Sequence, residues 1–115
     1  MTHEDLVKAL VKPAEQLHAE ITPDCLNLIH MSMGISGESG ELLDAIKKHV
    51  IYRKPLDIEN IIEELGDIEF YLEGFRQQLG IIREQCLQAN IAKLQKRYDS
   101  GKFSNDSAIA RADKQ

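Results

Sequence analysis

The sequence predicts an all-α protein, read as a four-helix bundle, and three observations carry that prediction. Strong helix formers dominate, and no stretch alternates apolar and polar residues as a half-buried strand would. Apolar residues instead recur every three or four positions over most of the 115 residues. The three prolines, Pro13, Pro23 and Pro55, divide the chain into pieces of helical length joined by short connections. With 43% apolar residues the chain has material for a packed core, and its length suits one domain.

Taken in order, residues 4–20 read as a helix disturbed near Pro13, with Leu6, Leu10, Ala14 and Leu17 on one side. Thr22, Pro23 and Asp24 form a helix start. The threonine is placed to cap, the proline fits the first position, and the aspartate suits the positive end of the dipole. That second helix runs to about Tyr52, with a bend or break allowed near Gly34. Residues 53–56 make the next connection, and Asp57 caps a third helix that ends near Gly80. A fourth helix spans about Ile82 to Tyr98. Residues 1–104 therefore read as one helical domain and 105–115 as a polar C-terminal tail.

Net charge is −5, from 19 acids and 14 bases. A general nucleic-acid binder is not expected, since phosphate backbones are held by clustered cations. No apolar run is long enough to span a bilayer, and the N-terminus does not look like a secretory signal. Cys25 and Cys86 lie far apart and form no C-x-x-C, so reduced thiols and a cytoplasmic setting are expected. The charge is also unevenly placed. Residues 38–73 carry ten acids and four bases, whereas residues 74–115 carry four acids and eight bases.

The acidic middle contains residues that break the helical pattern. On the second helix, Leu28, Met31, Ile35, Leu42, Ala45 and Ile46 make an apolar stripe, yet Glu38 falls inside it and Glu41 on its border. On the third, Glu64 falls at the edge of the stripe formed by Ile58, Ile61, Ile62, Leu65, Ile68, Leu72, Phe75 and Leu79, with Asn60, Asp67 and Tyr71 just beyond. A glutamate on a buried face is costly unless paired or bound to a cation. Gly34, Gly37 and Gly40 stand beside the first acids, and each interior glycine costs a helix about 1 kcal/mol relative to alanine. They suggest close approach by another helix or a ligand, or a local break.

The acids form two pairs of equal spacing, Glu38 with Glu41 and Glu64 with Asp67. Residues three apart lie side by side on a helix, so each pair offers oxygen donors in one direction. If the helices face each other, four carboxylates converge and must take up protons, arginines or a metal. No histidine stands at the position that a di-iron E-x-x-H motif requires, and an all-oxygen donor set favours Mg²⁺, with Mn²⁺ as a substitute.

At these residues the sequence resembles the MazG-like all-α nucleoside triphosphate pyrophosphohydrolases. The resemblance runs through Gly34-Ile35-Ser36-Gly37-Glu38-Ser39-Gly40-Glu41-Leu42 and Glu63-Glu64-Leu65-Gly66-Asp67. It continues in Asn90-Ile91-Ala92-Lys93-Leu94 and Arg97-Tyr98, covering roughly residues 25–104. It implies hydrolysis of a (deoxy)nucleoside triphosphate between its α- and β-phosphates, with Glu38, Glu41, Glu64 and Asp67 as Mg²⁺ ligands. Asn90, Lys93 and Arg97 would face the substrate. Many members open the first motif with two adjacent glutamates; here Gly37 takes the first place. The water would then be activated by Glu38, Glu41 or a metal-bound hydroxide.

Lys54 is a further candidate for the charge on the leaving pyrophosphate. His30, Met31, Ile35 and Tyr71 are candidates for base selection, and Arg111 and Lys114, with Lys102, for closing over phosphates from the tail. Small members of the family are homodimers or homotetramers, which two long apolar helices in so short a chain would permit. Two other readings fit the same residues: a module that binds Mg²⁺-nucleotide without hydrolysing it, and a non-catalytic helical interaction protein whose acids pair with the basic fourth helix.

Overall fold

The computed structural model describes residues 1–114, and among them every regular element is helical. Thr2 opens α1 (His3–Leu10) with a reciprocal cap, its hydroxyl accepting from the Asp5 amide while the Asp5 carboxylate accepts from its own. The expected disturbance at Pro13 is a full break. Val11 caps α1 in an extended conformation, Pro13 follows with no amide hydrogen to donate, and a separate α2 (Ala14–Glu20) begins.

Thr22 caps α3 (Pro23–Val50) as its sequence foretells, accepting from the Cys25 amide at 3.2 Å, with Pro23 in the first turn. This helix runs unbroken for 28 residues through all three glycines. Residues 51–57 turn the chain, with Arg53 at a left-handed φ of 60°. Asp57 then caps α4 (Ile58–Leu79) by accepting from the Asn60 amide. Gly80 ends α4 at a φ of 67°, where a side chain would be strained, and the Ile81 amide reaches back to the Arg76 carbonyl. After α5 (Arg83–Arg97), the tail expected to be merely polar is ordered. Ser104 caps a short α6 (Asn105–Ala110), and a 3₁₀ turn over Ala112–Lys114 returns against α5.

The dominant packing is the antiparallel α3–α4 hairpin, while α5 packs chiefly with α6 and the terminal turn. Along the hairpin seam Gly34 lies so close to the Tyr71 ring that a Cβ there would overlap it, and Gly74 stands in the same relation to the Met31 sulfur. Gly37, Gly40 and Gly66 face open space. The close approach read from the first glycine triplet is thus made at Gly34 alone within one chain.

One chain does not close its helices into the expected bundle. Its radius of gyration is 19.9 Å, against about 13 Å for a compact domain of this length. It exposes 9368 Å² where a compact 13.0 kDa monomer exposes about 6,300 Å². Of the α4 stripe, Ile58, Ile62 and Leu65 are exposed, Ile62 at 63%. The residues that are buried, Met31, Ala45 and Glu64, lie on the hairpin seam.

Candidate metal and nucleotide site

Three of the four paired acids meet at the middle of the hairpin. Glu38 and Glu41 descend from α3 and Glu64 rises from α4, and one carboxylate oxygen of each lies within 4.8 Å of the others. Glu64 is the buried member, 8% exposed; Glu38 is half-buried and Glu41 exposed. The sequence pattern pointed to Glu38 as the acid deepest in an apolar face. The hairpin instead buries Glu64, because α4 meets α3 along the edge of its apolar stripe and leaves much of the stripe uncovered.

Glu64 Oε2 is buried with no hydrogen-bond partner. Its carboxyl is held up to about 7, from an ordinary 4.5. The largest cause is proton sharing with Glu38, followed by burial and the negative charges of Glu38, Glu41 and Asp67. Asp67 therefore acts on the group electrostatically while lying outside the set of three converging oxygens, and it is exposed. Ser39, between the first two acids, turns away and donates to the Ile35 carbonyl at 2.7 Å. The donor set is all oxygen, converges from two helices and leaves a buried lone pair unsatisfied, which fits a hard divalent cation.

These features coincide with a family match. Residues 27–101 match the MazG nucleotide pyrophosphohydrolase domain. The chain belongs to this family. Gene 37 protein of Mycobacterium phage L5 is 34% identical over 80 residues, covering 64% of this chain and 68% of that protein. No solved structure matches.

Of the other candidates in this MazG domain, His30 and Tyr71 are brought together across the hairpin, ring centroids 6.1 Å apart and edge to face. Ile35 is half-buried one turn before Glu38. Lys54 lies exposed in the turn between α3 and α4, its carbonyl meeting His49 Nδ1 at 2.7 Å. Asn90, Lys93 and Arg97 share a face of α5, and that helix packs chiefly against the C-terminal segment within one chain.

Arg97 has a partner that the sequence did not reveal. Its Nε and an Nη donate to the two carboxylate oxygens of Asp113 at 2.8 and 3.2 Å. Hydrogen bonding to Arg97 holds Asp113 below the usual carboxylate range. This pair pins the terminal turn, and with it Arg111 and Lys114, near the end of α5. The available signal was Ser104-Asn105-Asp106, a cap followed by an acid in a first turn. No described helix is long and apolar enough to cross a membrane.

Proposed function

We propose that this MazG domain is a metal-dependent pyrophosphohydrolase that converts a (deoxy)nucleoside triphosphate to the monophosphate and pyrophosphate. The observation that carries the reading is the buried, unpartnered Oε2 of Glu64 beside Glu38 and Glu41. Three carboxylates that crowd together, one of them half-protonated near neutrality, favour a divalent cation over mutual repulsion.

Glu38, Glu41 and Glu64 hold Mg²⁺, or Mn²⁺ in its place, with Asp67 adding negative charge and a fourth donor. The cation supplies neutralisation of the triphosphate and acidification of a bound water. Glu38 or Glu41 orients the attacking water and accepts its proton. His30, Ile35 and Tyr71 bound the nucleoside side of the site. Lys54, Asn90, Lys93 and Arg97 bind the triphosphate, with Arg111 and Lys114 reaching it from the terminal turn.

The large exposed surface and the packing of α5 chiefly against the C-terminal segment support a homodimer or homotetramer in which a second copy closes the helical bundle and brings its cations to the hairpin. A cytoplasmic setting keeps Cys25 and Cys86, both exposed, reduced.

The test is a panel of nucleoside triphosphates assayed for pyrophosphate, with and without Mg²⁺. At least one should release pyrophosphate and not orthophosphate, and Glu41→Ala should abolish release. Gly37, which stands where many members carry a glutamate, favours as a second reading a domain that binds Mg²⁺-nucleotide and leaves it intact. Saturable nucleotide binding with no pyrophosphate from any member of the panel would establish that reading instead.

A further inference from the structure

Beyond the acid cluster, toward the start of α3 and the end of α4, the hairpin seam opens into a cavity of about 500 Å³. Asn27 and Met31 line it from α3, and Phe70, Glu73, Gly74 and Gln78 from α4. We propose that this cavity is the nucleobase subsite and that it selects bases carrying an exocyclic amino group beside a ring-nitrogen acceptor, cytosine or adenine. The proposal rests on the nucleotide reading above and adds base selection to it.

Position is the first argument. On α4, Gly74 and Gln78 share the side of the helix that carries Glu64 and Asp67, with Phe70 at its margin and Glu73 further round, so the cavity lies beside the line of carboxylates and continues it along the hairpin. Met31 is seven residues from Glu38 and Phe70 six from Glu64, an axial offset of about 10 Å. That offset matches the reach of a nucleotide from its base to its polyphosphate. Tyr71, packed over Gly34, lies between the two, where the sugar would pass.

The lining chemistry is the second argument. Phe70 is 67% exposed and stands edge to face with Tyr71 at 5.1 Å, leaving an aromatic face free to stack on a planar base. Met31 is buried against Gly74 and supplies a polarizable apolar wall. Asn27 Nδ2 donates to Gln78 Oε1 at 2.6 Å. Each amide thereby holds the other in place, and the pair still has donors and a carbonyl to offer a base edge. Glu73 decides the class. Its carboxylate only accepts when ionised, and Arg76 Nε approaches it at a loose 3.5 Å, leaving lone pairs for an incoming amino group. Uracil or thymine would turn a carbonyl oxygen toward the same carboxylate, acceptor against acceptor.

The experiment uses the full chain with Mg²⁺. Binding of dCMP, dAMP, dUMP and TMP is measured by calorimetry, and KM and kcat for the matching triphosphates by pyrophosphate release. The amino-bearing bases should bind more tightly. Glu73→Gln, whose amide can turn to donate, should reduce the preference for dCMP over dUMP about tenfold, the effect appearing in KM with kcat retained. Asn27→Leu should weaken all four nucleotides. A preference that Glu73→Gln leaves unchanged, or binding indifferent to both substitutions, overturns the proposal while pyrophosphate release stands. Glu73-dependent binding of dCMP without hydrolysis of any triphosphate upholds the subsite and overturns the hydrolase reading.

Discussion

Gly34→Ala is the substitution that most directly probes how the site is built. The new methyl group would overlap Cγ, Cδ1 and Cε1 of Tyr71, so the ring must shift as a body and the seam must open, since Cγ is anchored next to the backbone. Overpacking of this kind costs about 1–3 kcal/mol. Replacing an interior helical glycine returns about 1 kcal/mol. Gly37→Ala provides the control, because its Cβ would meet nothing and should yield the propensity gain alone. The two variants should therefore differ by about 2 kcal/mol, a separation of about 1 M in urea midpoint. Helical circular dichroism reports the transition, measured at one fixed protein concentration so that association does not vary between samples. In a Tyr71→Ala background the penalty of Gly34→Ala should vanish, which isolates the contact as its cause. Equal stability of Gly34→Ala and Gly37→Ala would refute the packing argument.

Glu64 makes stability depend on pH in a defined direction. Between its ordinary 4.5 and about 7 the folded chain retains a proton that the unfolded chain has lost. Stability is then fully present below the lower value and declines as pH rises through the upper one. In chelator, the melting temperature should fall from pH 5 to pH 8; Glu64→Gln or added Mg²⁺ should flatten that fall, and a flat wild-type profile would contradict it. Asp113→Asn removes the carboxylate that grips Arg97, so trypsin should cleave after Arg111 faster than in the wild type, which digestion time courses will show. Because Asp113 is held below its ordinary 3.8, the wild-type grip should persist above that value and be lost as pH falls through the lowered one. Thr22→Ala should destabilise the chain by about 1 kcal/mol through loss of its bond to the Cys25 amide, read from the same urea transitions.

The helix ends were legible wherever local chemistry dictates them. Thr22 with Pro23, Asp57 and Gly80 each act in the structure as their residue types require. The convergence of Glu38, Glu41 and Glu64 was legible for a related reason: three-residue spacing fixes direction on a helix, and a short connection makes α3 and α4 face each other. Asp67, expected as a fourth member, stays outside the cluster. The order of burial was not legible. A helical wheel treats the most apolar arc as the buried one, whereas a lone hairpin buries only the line where two helices touch, so Glu64 lies deeper than Ile62. Arg97 and Asp113 escaped notice because their meeting depends on where the chain goes after Gly101, and no periodicity carries that information.

The position of the acid cluster halfway along a hairpin has a kinetic consequence. The two helices are joined by residues 51–57, so their contacts are local in sequence and belong to the class that forms early in folding. Zipping from that turn brings Ala45 into place first and then must carry Glu64 past Glu41 and Glu38, where like charges oppose further closure. Divalent cations should accordingly speed refolding, with the gain confined to the step at mid-hairpin. The carboxylates would then serve as a checkpoint in the folding pathway, passed most readily where a cation screens their charge.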